Sequence, residues 1–244
     1  MKRVTFAEGQ VYHVYNRGAD RREVFLNDHD RYRFISDLYC MNTSEHVLHS
    51  GYHFNRSLPW DGQNVKVRPS SKLVDILAFV LMPNHYHLLL TQRCENGISL
   101  FMQKLGTAYT MYFNKLHHHS GVIFQGRFKA AMPEREAHFD YLPFYIHANP
   151  LKLNGYPGSI QRQMAILGSY KWSSYSDYSG ISNFPGVINP LVLREMFSMN
   201  GGFHSSMAKW LENRQNHPAE VQPRHKWSSE VEPRQEGEPV AILI

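Results

Sequence analysis

Apolar and polar residues recur along this chain with the spacings of alternating strands and helices. Residues 10–16 alternate between the two kinds and are rich in β-forming side chains, which predicts a first strand. Asp28 or Asp30 is suited to cap a helix that runs to about Tyr39. Residues 44–72 contain only short apolar pieces, and they predict no definite element.

A hydrophobic hairpin and a long helix follow. The nearly continuous apolar run 74–81 predicts a buried strand, Pro83-Asn84 predicts a turn, and residues 85–91 predict the returning strand. Apolar positions then recur at helical spacing over about five turns, within residues 98–116. Both patterns are long enough to define the type of element.

The next segment predicts the last elements of the same unit. Residues 121–131 resemble a short hairpin with Gly126 at its bend. Pro133 suits the first position of a helix that runs to about Asn149, where Pro150 ends it. The order strand, helix, two strands, helix, short strands, helix predicts an α+β fold with an antiparallel sheet.

Composition is that of a globular protein. Hydrophobic residues make up 42% of the 244 residues and the mean hydropathy is −0.46, which allows one substantial core. No apolar run reaches the eighteen or so residues that a membrane span needs, and the first residues lack the apolar centre of a secretion signal. Because Cys40 and Cys94 are the only cysteines and lack metal-ligand spacing, we expect a reduced, cytoplasmic protein.

Positive charge is concentrated in one stretch of a chain whose formal net charge is +5. Residues 101–132 contain no aspartate or glutamate, and their cations alternate with aromatic side chains: Lys104, Lys115, Arg127 and Lys129 with Tyr109, Tyr112, Phe113, Phe124 and Phe128. This mixture suits single-stranded nucleic acid, whose phosphates need charge and whose bases need flat surfaces. An ordinary amphipathic helix with a solvated basic face is the alternative.

His85 and His87 stand one residue apart in the predicted second strand of the hairpin. In a strand these two side chains point to the same face, while Tyr86 points to the other. Adjacent imidazoles in an apolar strand are costly unless something binds them, and a divalent cation is the obvious candidate. A pair of histidines satisfied within the core is the alternative.

Tyr145 and Asn149 lie one helical turn apart on one face of the predicted last helix. A tyrosine hydroxyl is a phosphoryl-transfer nucleophile when its proton is removed and the attacked phosphate is polarised. A cation held by the two histidines can polarise it, and the amide oxygen of Asn149 offers a further ligand. His147 is rotated by roughly 200° from Tyr145, which assigns it to packing or DNA contact.

Four motifs together resemble the single-tyrosine HUH transposases of bacterial insertion sequences, and among these the REP-associated tyrosine transposases. They follow the order of that family within roughly residues 5–155: Tyr12-His-Val-Tyr-Asn-Arg-Gly18, Met82-Pro-Asn-His-Tyr-His87, Gln125-Gly-Arg-Phe-Lys129 and Tyr145-Ile-His-Ala-Asn149-Pro150. The resemblance implies a ferredoxin-like catalytic domain in residues 1–155, with the histidines on a central strand and the tyrosine helix beside it.

The resemblance also implies a reaction and its residues. Tyr145 would be the nucleophile that cleaves single-stranded DNA near imperfect hairpins and forms a 5′-phosphotyrosine bond. His85, His87 and Asn149 would bind Mg²⁺ or Mn²⁺, weakly and with help from the substrate, because these ions prefer oxygen ligands. We expect a nucleoid-associated protein. The residues expected to contact DNA are Arg17, Lys104, Arg127, Phe128 and Lys129.

The predicted tyrosine helix has two unusual features, an internal proline and a second tyrosine. Pro143 removes a helical hydrogen bond two residues before Tyr145 and predicts a kink. Tyr141 precedes Tyr145 by one turn, as in two-tyrosine replication initiators of the wider HUH group. A second tyrosine at this spacing is more often a core residue, but Tyr141 stays open as an alternative nucleophile.

The chain beyond this unit is less informative. Residues 156–212 contain a serine and aromatic cluster, 170–178, and form either a helical extension that contacts DNA or plain packing. Residues 213–244 are rich in proline and charge, which predicts a disordered tail. Whether the protein is a monomer or a homodimer that exchanges tyrosine helices stays open.

Two other functions remain as alternatives. One is an HUH-derived protein that binds hairpin DNA without cutting it, against which the intact set of histidines, tyrosine and asparagine argues. The other is a zinc-dependent hydrolase that uses the two histidines, for which the chain offers no acidic base in a recognisable motif.

Overall fold

The computed structural model describes residues 5–45, 71–133, 136–184 and 186–216. Most of the indefinite segment 44–72 lies outside these ranges. The elements in chain order are β1 (Val11–Arg17), α1 (Asp28–Cys40), β2 (Val74–Met82), β3 (His85–Gln92), α2 (Gly97–Leu116), β4 (Lys129–Ala131), α3 (Glu136–His147), α4 (Asn149–Lys152), α5 (Ile160–Ser169), α6 (Tyr175–Tyr178), α7 (Leu191–Ser198) and α8 (Gly202–Asn216).

The four strands form one antiparallel sheet in the order β2-β3-β1-β4. The crossover from β1 through α1 to β2 leaves a gap that β3 fills, and α2 leads to β4 on the far side of β1. This is the ferredoxin-like arrangement, so the expected α+β fold class is confirmed. It makes β1 and β3 the two central strands.

The two faces of the sheet are covered by different helices. Tyr86 of β3 packs its ring against Phe34 of α1, with 4.9 Å between ring centres, and α2 packs on the same side. Because side chains alternate along a strand, His85 and His87 point to the opposite face. There α3 packs against β2 and β3, which brings its tyrosines toward the histidines.

The start of α1 is capped by a residue that the sequence analysis did not choose. The side-chain oxygen of Asn27 accepts a hydrogen bond from the backbone N–H of Asp30 at 3.1 Å. The Asp30 carboxylate instead accepts one from the backbone N–H of Leu26 at 2.9 Å. The helix therefore begins at Asp28, but neither aspartate is its N-cap.

Three predictions around β4 and α3 are wrong. In place of a hairpin within 121–131, Lys129–Ala131 pairs with the edge of β1 that β3 leaves open. Pro133 is not helical, and α3 is described from Glu136 onward. Pro150 does not end the helical path, since it occupies the first turn of α4, where its missing N–H costs nothing.

The C-terminal extension closes the outer edge of β2. The backbone N–H of Leu81 donates to the carbonyl of Trp172 at 2.8 Å, and that of Ser174 donates to the carbonyl of Phe79 at 3.0 Å. These bonds satisfy polar backbone groups that an edge strand would otherwise expose. The aromatic cluster in 170–178 is thus part of the packed protein core.

The last described helix extends farther than expected. Because α8 continues to Asn216, the first four residues of the predicted tail, 213–216, are helical, and residues 217–244 lie outside the described ranges. Within the described residues, every helix is too short or too polar to span a bilayer.

Gly97→Ala is expected to lower the free energy of unfolding by about 1–3 kcal/mol. A Cβ at Gly97 would meet the backbone oxygen of Leu73 at 2.4 Å, so the start of α2 would have to move away from β2. Gly106→Ala is the matched control in the same helix, because its Cβ would meet nothing within 4 Å. Gly106→Ala is expected to raise the free energy of unfolding by about 0.5–1 kcal/mol, because alanine favours the helix more than glycine does. Urea unfolding of both variants measures the difference, and equal effects would contradict the close contact.

Candidate active site

Polar side chains from the two central strands share the open face of the sheet. In the register of β1 against β3, Tyr15 lies opposite His87 and Arg17 lies opposite His85. Since alternate residues of a strand share a face, His13 lies on this side as well. Three histidines and two further polar residues therefore meet where α3 crosses the sheet.

Hydrogen bonds fix the orientation of both hairpin histidines. Nδ1 of His87 lies 2.8 Å from Nε2 of His13, and the two rings stack with an interplanar angle of 20°. Nδ1 of His85 donates to Oδ1 of Asn84 at 2.6 Å. In both hairpin histidines Nε2 is then the nitrogen left to a ligand, an arrangement typical of metal-binding histidines.

Burial keeps all three imidazoles uncharged. It is the largest cause that lowers the pKa of His85 to about 3, and the charges of Arg17 and Lys152 lower it further. Burial likewise lowers the pKa of His13 to about 3 and that of His87 well below its usual value. At neutral pH the rings are therefore in the neutral form that binds a metal.

Tyr145 of α3 lies directly over these rings. Its ring centre is 5.9 Å from that of His87 and 6.0 Å from that of His13, edge to face in both cases, and only 5% of the residue is exposed. Pro143 lies inside α3 without ending it. The geometry thus holds the Tyr145 ring beside His87 from the helix side, while the Tyr15 ring of β1 lies 5.7 Å from His87 within the sheet face.

Tyr141, the alternative nucleophile, is one turn further from the sheet. Its ring stacks on that of Tyr145 at 5.8 Å and meets Trp210 of α8 edge on at 5.6 Å. Tyr141 does not line the cleft that contains the histidines. These contacts indicate a packing role.

Asn149 holds the end of the tyrosine helix. Its side chain is 1% exposed, and Nδ2 donates to the carbonyls of Tyr145 and Ile146 at 2.9 and 3.1 Å. Because both bonds occupy the amide nitrogen, the amide oxygen is the atom that remains for a metal. His147 points elsewhere: it is buried, with Nε2 2.8 Å from the hydroxyl of Ser174, so it packs in the core and does not line the cleft.

The donor atoms fit a weakly bound divalent cation. The rings of His85 and His87 are 5.1 Å apart and nearly perpendicular, close to the separation of about 5 Å that two imidazoles need to reach one ion at about 2.1 Å each. Within the described ranges no group of three histidine, cysteine, aspartate or glutamate side chains is placed to hold a metal ion together. The donors that fit a cation here are two imidazoles and the Asn149 oxygen, a set that would leave positions for water and phosphate.

These groups line one cleft of about 1300 Å³, larger than most small-molecule pockets. Two acidic residues line it, Asp20 and Glu23. The cations along its walls are more numerous: Arg17, Arg21, Arg127, Lys129, Lys152 and Arg214. An excess of positive charge around a long cleft suits the phosphates of a nucleic-acid strand.

The structure brings only some of the expected DNA contacts to this cleft. Arg17, Arg127 and Lys129 line it. The ammonium of Lys104 instead donates to the carbonyls of Thr43 and Glu45, at 2.5 and 2.6 Å, on a different part of the molecule. The ring of Phe128 is directed to the core, where it stacks on Phe6 at 6.3 Å.

The cleft residues that sequence reasoning missed include His13, Lys152 and Arg214. The alternation of His13, Tyr15 and Arg17 along β1 is a signal that could have indicated the first, once β1 was paired with β3. No local pattern indicates Arg214, which α8 brings in from the end of the described chain.

Comparison with known proteins agrees with the motifs. Residues 65–149 match the model of the family described as "Transposase IS200 like". No curated protein matches the chain. One similar solved structure is described as "Structure of the REP associates tyrosine transposase bound to a REP hairpin". It is 15% identical, covers 78% of this chain and 90% of its own, and gives a TM-score of 0.49. Residues 65–149, which include the hairpin histidines and Tyr145, are therefore similar in sequence to IS200-like transposases.

Proposed function

We propose that this protein cleaves single-stranded DNA beside hairpins and transfers the cut strand, through a covalent bond between Tyr145 and a 5′ phosphate. The observation that supports this most directly is the Tyr145 ring, 5.9 Å from the His87 ring in a cleft lined by cations. A nucleophile, a pair of metal-binding imidazoles and a path for phosphates are what such a reaction requires.

In the proposed reaction the oxygen of Tyr145 bonds to the scissile phosphorus, and its proton passes to water. The bond from phosphorus to the 3′ oxygen breaks, and that oxygen takes up a proton. Attack of another 3′-hydroxyl on the phosphotyrosine reverses these changes and completes strand transfer. Mg²⁺ or Mn²⁺ bound by His85, His87 and Asn149 would supply the Lewis acid that polarises the phosphate.

The residues around the nucleophile have supporting roles in this proposal. His13 holds the His87 ring by the 2.8 Å bond to Nδ1, and Asn84 holds the His85 ring in the same way. Such bonds fix the tautomer and direct Nε2 toward a ligand. Asn149 ties the end of α3 in place through Tyr145 and Ile146, so the phenol has a fixed height above the sheet.

The decisive experiment is formation of a covalent protein–DNA adduct. A pool of labelled single-stranded oligonucleotides with imperfect hairpins and random flanks is incubated with the full chain and Mn²⁺ or Mg²⁺. We expect a labelled band that survives denaturing electrophoresis and disappears with EDTA. Hairpin binding without any such band, with either ion, would favour the binding-only alternative. Tight stoichiometric zinc with activity that does not need Tyr145 would favour the hydrolase.

Arg127→Ala is expected to weaken hairpin binding and to reduce the slope of log affinity against log salt concentration by about 1. The reason is that a guanidinium on the cleft wall replaces one condensed counterion when it contacts a phosphate. Lys115→Ala is the matched control, since Lys115 is exposed on α2 and does not line the cleft. Titrations at several salt concentrations measure both slopes. Equal slopes for wild type and Arg127→Ala would remove this residue from the DNA path.

A further inference from the structure

Lys152 is a cation of the cleft that lies against the ring of the candidate nucleophile. It ends α4, and its ammonium is 4.2 Å from the centre of the Tyr145 ring. The same ring is 5.9 Å from that of His87, and all three residues line one cleft. The ammonium is therefore at most about 10 Å from the centre of the His87 ring, a range over which charges still interact.

The charge of Lys152 reaches the three imidazoles. Next to burial, which is the largest cause, it lowers the pKa of His13, and it adds to the lowering for His85 and His87. The same field acts on any cation between those rings. With bulk water's dielectric constant, a divalent and a monovalent cation roughly 10 Å apart repel enough to weaken binding about fourfold.

A phosphate in the cleft would change the interaction between the Lys152 ammonium and a metal ion. Its negative charge attracts both the ammonium and a metal ion, so the repulsion between the two cations is offset when DNA is present. Lysine suits this role because its ammonium is a compact point charge on a flexible stem. The acids that line the cleft, Asp20 and Glu23, precede α1 in the chain, whereas Lys152 belongs to α4.

We propose that Lys152 binds the scissile phosphate beside Tyr145 and, in the free protein, weakens cation binding at His85 and His87, so that the metal and the DNA bind together. This rests on the proposed function. It makes Lys152 a residue that contacts substrate, and it gives a physical cause for metal binding that depends on substrate. It also predicts effects of opposite sign on metal affinity and on cleavage, which loss of packing would not produce.

The test compares Lys152→Met, which removes the charge but keeps much of the stem, with Lys152→Arg, which keeps the charge. Mn²⁺ binding to the DNA-free protein is followed by the loss of the free-ion signal in electron paramagnetic resonance. Lys152→Met is expected to bind Mn²⁺ about three- to fourfold more tightly at low salt, while its adduct formation falls about 10²- to 10³-fold. Lys152→Arg is expected to stay near wild type in Mn²⁺ affinity and to keep most adduct formation.

The controls separate this proposal from the proposed function. Lys115→Met removes a lysine outside the cleft and is expected to change neither quantity. Lys152→Gln provides a second uncharged side chain, and thermal unfolding verifies that each variant is folded. Unchanged or weaker Mn²⁺ binding in both uncharged variants would overturn the role of Lys152, as would full adduct formation. If wild type forms no adduct, the proposed function fails, whereas the Mn²⁺ measurement still decides whether Lys152 repels the ion.

Discussion

Tyr145→Phe is expected to abolish the covalent adduct, with a loss of at least about 10³-fold, while hairpin affinity stays within about twofold of wild type. The change removes only the hydroxyl that would bond to phosphorus. The ring itself keeps its edge-to-face contacts with His13 and His87 and its contact with Lys152. Denaturing electrophoresis measures the adduct, and fluorescence anisotropy with EDTA measures binding alone.

Tyr141→Phe is the matched control for this experiment. It removes the same atom one turn earlier on α3, from a ring that packs between Tyr145 and Trp210. We expect normal adduct formation. If Tyr141→Phe instead loses the adduct and Tyr145→Phe keeps it, the nucleophile is Tyr141. If both single variants keep it, the proposed chemistry of this helix is wrong.

His85→Ala and His87→Ala are each expected to reduce cleavage by about 10²- to 10³-fold and to leave hairpin affinity nearly unchanged. The reason is that the metal would polarise the phosphate, while the cations of the cleft wall supply most of the binding. High Mn²⁺ concentrations should partly restore cleavage in each single variant, since two of three protein ligands remain. Single-turnover cleavage across a Mn²⁺ series measures both effects.

His85→Ala is the cleaner of the two changes. His87 also bonds to His13, so its removal leaves a buried imidazole without that partner. His118→Ala is the control, because His118 is exposed after α2 and does not line the cleft. Cleavage by His85→Ala at the wild-type rate, with the same Mn²⁺ dependence, would remove the hairpin histidines from the reaction.

The spacing of apolar residues was sufficient to predict the elements whose pattern is determined mainly by burial. The buried run that became β2 and the five-turn pattern that became α2 were predicted to within two residues, because burial on one face determines such patterns. The hairpin prediction for 121–131 was wrong because the short β-forming pieces of this segment have two possible partners. The free edge of β1 competes with a local hairpin, and the local pattern cannot tell which of them wins.

The residues of the candidate site also divide into those that local spacing placed correctly and those that it did not. The pairing of His85 and His87 follows from the repeat of β3. Tyr145 and Asn149 keep the predicted one-turn spacing although α3 ends at His147 and α4 begins at Asn149. Lys104 and Phe128 show the limit of this reasoning, because their types and positions suited DNA. The Lys104 ammonium instead donates to carbonyl groups of a neighbouring segment, and the Phe128 ring packs against the core.

The sequence by itself determined the order of strands and helices, the pairing of two histidines on one strand face and the tyrosine one turn from an amide. These follow from repeats of two and 3.6 residues, which are local. Only the tertiary structure decided that β1 delivers His13 to His87, that α4 places the Lys152 ammonium over the phenol and that α8 adds Arg214. Such contacts join residues far apart in the chain, so they depend on which surfaces pack together.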